Sequence, residues 1–143
     1  MQRESIYAAM FALVSSVPGV KYASRRLKSF AEIAQGDQPA LFMEQKTEQS
    51  QAQTMLPSKW TLTVDLMVFV STGGLDPNVV PASVLNPVLD AITAALRPPP
   101  ALGEQTLGGM VTRCRIEGAI EIVEGVQGDQ SFAVIPVQIY THD

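Results

Sequence analysis

A chain of 143 residues, 46% of them hydrophobic and 17% charged, has a globular balance; at this length roughly 68–70% of the unfolded surface is buried on folding, enough for one core without external staples. The single cysteine, Cys114, leaves no intramolecular disulfide to form and favours folding in the cytosol. Ten basic against fourteen acidic residues give a net charge of −4, which argues against the broad cationic surface with which nucleic-acid binders neutralise phosphates.

Ile6, Met10, Leu13, Val14 and Val17 recur at helical spacing until Pro18-Gly19 stops the pattern, predicting a first helix from Arg3 to Ser16. The apolar run Ile6 to Val14 is too short to span a bilayer, and the Arg3-Glu4 pair before it lacks the net positive charge of a signal peptide. A short strand is expected from Val20 to Leu27, carrying Lys21, Arg25 and Arg26 with Lys28 just beyond, and a second from Ala40 to Gln45. The polar stretch Gln45 to Ser58 reads as an unstructured loop, too long for a hairpin connection, with Lys46 near its start and Met55-Leu56-Pro57 as its apolar end. After Pro57 the alternation of Trp60, Leu62, Val64, Leu66, Val68 and Val70 with polar residues marks a strand. Met67 and Phe69 make its second half apolar on both sides, so that half must be central or covered.

Gly73-Gly74 and Asp76-Pro77 break the chain before a second helix, for which Asn86 is expected as N-cap and Pro87 as first residue. Its stripe is Val88, Leu89, Ile92 and Leu96, and Pro98 to Pro100 end it. Two strands follow, Met110 to Val123 and Ser131 to Thr141, joined by the turn Gly125 to Gly128. The first places Cys114, Ile116, Gly118, Ile120 and Ile122 opposite Arg113, Arg115, Glu117 and Glu121. Pro136 lacks a ladder N–H, which favours an edge or a bulge in the last strand. The predicted order is α-β-β-β-α-β-β, an α+β fold in one domain: a mixed, mostly antiparallel sheet with two α-helices packed on one face.

No constellation for chemistry emerges. His142 is the only histidine and stands beside the last residue, so zinc spacing, a Cys-His pair and a Ser-His-Asp set are all missing. Gly103 to Gly108 has the glycine spacing of a phosphate loop, but Gly109 and Met110 replace the required lysine and hydroxyl residue. Glu117 and Glu121 beside Arg113 and Arg115 are cross-strand pairing material. No catalytic, metal or cofactor site is therefore expected, and the dense basic cluster Lys21, Arg25, Arg26, Lys28 reads either as a solvated face or as a docking patch for an acidic protein surface.

The segments Arg3-Glu-Ser-Ile-Tyr-Ala-Ala, Ser24-Arg25-Arg26, Gln38-Pro-Ala-Leu-Phe42, Lys59-Trp-Thr-Leu62, Leu85-Asn-Pro-Val-Leu-Asp90 and Gln105-Thr-Leu-Gly-Gly109 resemble, in order and spacing, the small neck and tail-completion proteins of long-tailed bacteriophages. The chain is similar to tail terminators of the lambda type, in which two helices pack on a mixed sheet. The resemblance implies a structural virion protein, assembled in the host cytoplasm and placed at the neck end of the tail. It implies a hexameric ring that caps the tail tube, halts tube polymerisation and offers a surface to the head-side connector or stopper, with the tape-measure protein as a further neighbour. It implies no enzyme activity, no cofactor, no sequence-specific nucleic-acid binding and no membrane. Interface candidates are Arg25, Arg26, Lys28, Lys46, Met55, Leu56, Met67, Phe69, Arg113 and Arg115. Another neck component is the nearest alternative. A small-ligand carrier or enzyme accessory domain would need a pocket with convergent polar groups, and a nucleic-acid-associated protein would show steep salt dependence.

Overall fold

The computed structural model describes residues 1–74, 76–124 and 129–143, so the expected turn Gly125 to Gly128 lies outside the described residues. The elements in order are α1 (Arg3–Ser15), β1 (Tyr22–Ser24), two 3-10 turns (Phe30–Glu32 and Gln35–Asp37), β2 (Ala40–Gln53), β3 (Leu56–Ser71), α2 (Pro81–Ala95), β4 (Arg113–Ile116), β5 (Glu121–Glu124) and β6 (Gln130–His142). The fold is α+β, with strand order β1-β2-β3-β6-β4 and β5 also on β6. The β1–β2 pair is parallel; the others are antiparallel.

Both helices pack on one face, as their apolar stripes require. Ile6, Tyr7, Met10 and Val14 of α1 and Leu85, Val88 and Ile92 of α2 close over Leu62, Val64, Leu66, Val68 and Val70 of β3 and Ala133, Ile135, Val137 and Ile139 of β6. Each Val, Leu, Ile or Met side chain among them, buried fully, contributes about 1.5–3 kcal/mol. The opposite face has its own smaller core of Ile33, Ala40 and Phe42, with Tyr22, Met67 and Phe69 packed against it. The cover demanded by the two-sided apolar half of β3 thus comes from the chain's own 3-10 segment, where Phe30 meets Phe69 edge-on at 5.1 Å.

Several boundaries differ from expectation, each for a physical reason. β1 is only three residues long, because the Arg26 N–H turns back to the Ser24 hydroxyl and leads the chain off the sheet. The loop expected from Gln45 to Ser58 is ordered as strand: β2 runs on through Gln53 and meets Leu56 across a two-residue turn, Thr54-Met55. Its polar sequence hid it, because there both faces are wet and no hydrophobic alternation is needed. Helix α2 begins at Pro81, with Pro87 inside it. Asn86 is therefore no N-cap; Pro81 supplies the preset φ at the first position, and the earlier start buries Leu85 completely. That burial, with the turn it adds, offsets an interior proline that costs about 3 kcal/mol.

The long strand expected from Met110 to Val123 is two strands, so the order ends in three strands rather than two. Gly118, at φ +111°, separates them, and a Cβ there would come within 3.2 Å of the Pro136 ring. Strand β6 is central, flanked by β3 and by β4 with β5, so Pro136 is not on an edge. Its carbonyl accepts from Glu117 N–H on the side where the neighbouring ladder is interrupted, so the absent proline N–H falls in that gap. The expected apolar face of this segment also fails beyond Ile116: Ile120 and Ile122 are exposed.

Candidate functional site

The β2–β3 hairpin outruns its neighbours. The last pair that β6 makes with β3 is Lys59 with His142, and the tip beyond it carries Met55, 97% exposed, and Leu56, 63% exposed. Met55 also sits in the left-handed region at φ +59°, a conformation that a side chain with a Cβ adopts at a cost. Nothing in the tip's sequence, Ala52 to Pro57, provides an anchor to the body of the fold.

The base of the arm is tied to α1. The Tyr7 hydroxyl donates to Glu48 Oε1 at 2.8 Å, and Arg3 Nε donates to Glu48 Oε2 at 2.6 Å. The bulge between Gln45 and Glu48 turns Glu48 toward the helix. The Arg3 hydrogen bond holds the Glu48 carboxyl below the ordinary carboxylate range against the opposing effect of burial. Burial, with the bond to Glu48 second, pushes Tyr7 from 10.0 up to about 12, and burial alone pushes the Cys114 thiol from 9.0 up to about 12. Raised folded values favour the neutral forms, so this stability is complete below the unfolded values and is lost as pH rises from about 9 toward about 12. Urea midpoints are expected to hold steady near neutrality and fall across that window, with Cys114→Ala shallower in slope. A flat midpoint from about pH 8 to about pH 11 would contradict it. Glu48 works in the opposite sense, stabilising above the ordinary carboxylate value and losing its contribution as pH falls through its depressed one.

Arg25 bonds Glu4 through both terminal nitrogens and reaches Gln45, linking β1, α1 and β2. It is a tie within the fold. Arg26 and Lys28 are exposed, with Lys28 Nζ over the Tyr22 ring at 4.7 Å. Lys46 lies 3.6 Å from Glu44 and 3.9 Å from Asp65. Met67 and Phe69 are half-buried and pack against the second core. Arg113 and Arg115 flank Tyr140, at 4.6 and 5.8 Å from its ring centre. The Tyr140 hydroxyl donates to Glu117 Oε2 at 2.6 Å, and Arg115 Nε donates to the same oxygen at 3.1 Å. Those two bonds, the Tyr140 one first, hold Glu117 below the carboxylate range.

Sequence reading missed Tyr140, Glu48 and Tyr7. Only the register could join them, since 23 residues separate Tyr140 from Glu117 and 41 separate Tyr7 from Glu48. It also missed the exposed acidic edge of β5, which reading 110–123 as one strand concealed.

For chemistry the arrangement offers little. A surface groove of about 480 Å³ runs past Lys59, Trp60, Arg113, Tyr140 and His142, and His142 Nδ1 lies 3.3 Å from the Thr112 hydroxyl. Among the described residues, no histidine, cysteine or carboxylate groups cluster as a metal site would require, and no helix is long and apolar enough to cross a membrane.

No family model matches the chain, and no curated protein matches it. Among solved structures it is similar to a chain of the virion of a native gene transfer agent particle, 10% identical, with 96% of this chain and 92% of that chain covered and a TM-score of 0.48.

Proposed function

We propose that this chain is a structural virion protein of a long-tailed phage or phage-like particle, one domain that serves as a tail terminator. Copies form a hexameric ring at the neck end of the tail, cap the tail tube, stop its polymerisation and present a surface to the head-side connector. Six segments that resemble, in order and spacing, those of neck and tail-completion proteins support the reading, as do two helices on a mixed, mostly antiparallel sheet, the architecture that resemblance implies. The work is done by contact rather than by catalysis.

The observation that carries it is the hairpin arm. Met55 and Leu56 stand exposed at its tip, and apolar side chains held beyond the body of a small domain gain stability only when a second surface buries them. A ring requires a patch on one subunit to meet a different patch on the next, and an arm whose tip leaves its own core unserved supplies one such patch.

Light scattering and negative-stain microscopy test this directly. The purified protein is expected to form rings, alone at high concentration or on tubes of its cognate tube protein, and to stop those tubes from lengthening. A strict monomer that neither binds nor shortens tubes removes the reading. Binding to the head-side connector without binding to the tube would assign the chain to another neck position.

A further inference from the structure

The two outer edges of the sheet differ in charge and lie at the same level. The row Tyr22–Ala40–Phe69–Phe132–Val123 runs straight across five strands, and the next residues give Ala23–Leu41–Val68–Ala133–Ile122. β1 therefore closes one end of the row and β5 the other, and among the described residues each pairs with a single strand. Exposed Lys21 directly precedes β1, and exposed Arg26 and Lys28 follow it, Lys28 with its Nζ over the Tyr22 ring, while exposed Glu121 and Glu124 begin and end β5. None of these five has an ion-pair partner among the described residues. Between the two glutamates, Ile122 is 49% exposed and Val123 44% exposed.

We infer that the β1 edge of one copy adds to the β5 edge of a second copy of this chain, so that subunits join head to tail through a continuous sheet. Strand direction permits it. β1 runs with β2, and three antiparallel steps through β3 and β6 leave β5 running against β1, so a copy displaced along the row brings the two together antiparallel. Continuing the row sets Tyr22 beside Val123 of the partner subunit, an aromatic on a β-branched residue, and Lys21 beside Glu124 of the partner subunit. Both are favourable cross-strand pairs. Like edges repel: β5 on β5 would oppose glutamates, and β1 on β1 would oppose cations. Only the heterologous arrangement remains, and that is the kind that closes rings. This contact rests on the ring reading above and names its subunit interface.

Paired charge reversals test it. Lys21→Glu with Arg26→Glu makes both edges acidic, and Glu121→Lys with Glu124→Lys makes both basic; all four sites are exposed. Each double variant, shown folded by circular dichroism, is expected to self-associate about tenfold or more weakly than the unmodified protein, consistent with loss of close interfacial charge pairs. The equimolar mixture should recover rings, since alternating copies restore every contact. Should a reversal unfold, the glutamine versions at the same positions, with a smaller loss of the same sign, replace it. Variants that assemble alone as well as the unmodified protein, or folded variants whose mixture stays apart, overturn the edge contact and leave the terminator reading standing. If the unmodified protein forms no ring alone or on tubes, the terminator reading falls and takes this contact with it.

Discussion

Replacing Phe42 by alanine is expected to lower the unfolding free energy by about 3–5 kcal/mol, the range for deleting a fully buried aromatic ring. Phe42 is completely buried, meets Tyr22 at 5.9 Å and Phe69 at 5.7 Å, and sits at the centre of the core on the face without helices. Phe69 in turn carries Phe30 at 5.1 Å and Phe132 at 5.6 Å. Removing Phe42 leaves a cavity in the small core that it forms with Ile33 and Ala40. A domain of this size is stable by about 5–15 kcal/mol, so the variant should lose about a fifth or more of its stability. Urea unfolding gives the number, and its dependence on protein concentration identifies the source. Met67 and Phe69, picked out in the sequence as interface candidates, cover a core internal to one subunit. The Phe42→Ala loss should accordingly be the same at low and high concentration. A loss below about 1 kcal/mol would mean that the 3-10 segment does not close this face, and a loss seen only in the assembled form would return the face to the subunit interface.

Legibility followed how locally each feature was encoded. β3 was readable because from Leu62 to Val70 one face of it lies against the helices, so the apolar residues there alternate. The stripe of α2 was readable for the same reason, while its start was not, because Pro81 and Pro87 both suit a first helical position and only packing of Leu85 decides between them. The second half of β2 was invisible because no periodicity survives where both faces are wet; the partner that orders it is the long β3 beside it. Met67 and Phe69 announced that something must cover them, but Phe30 and Ile33 are brought there by tertiary structure alone. In the candidate site, the basic residues stood out as a cluster, yet only the fold separates Arg25, committed to Glu4, from Arg26 and Lys28, which remain exposed. The tip residues Met55 and Leu56 are exposed apolar groups, and the segment that carries them, expected as loop, is mostly strand.

Shortening the hairpin is expected to abolish capping of the tail tube while leaving the fold intact. The cut must be placed with care. Removing Thr47 to Thr54 would delete Glu48, which accepts hydrogen bonds from Tyr7 and Arg3, and so would loosen the helix. Joining Gln51 to its register partner Lys59 by a two-residue Asn-Gly turn instead removes only Ala52 to Ser58, mostly exposed residues, and gives the hairpin a turn matched to strand twist. Changes at exposed positions without buried partners usually fall within about 0.5 kcal/mol, so thermal unfolding should barely move. Assembly should respond strongly, because the exposed apolar side chains of Met55 and Leu56 are lost with the tip. The milder Met55→Gly separates contact from conformation. Glycine adopts φ +59° without the steric cost that methionine bears, so this variant should be at least as stable as the parent and still cap less well. In tail reconstitution viewed by negative stain, both variants should give overlong tubes that fail to join heads, the shortened arm more severely. Tails of normal length that join heads, made with the shortened protein, would show that the arm is not an assembly element, and the terminator reading would lose the feature that carries it.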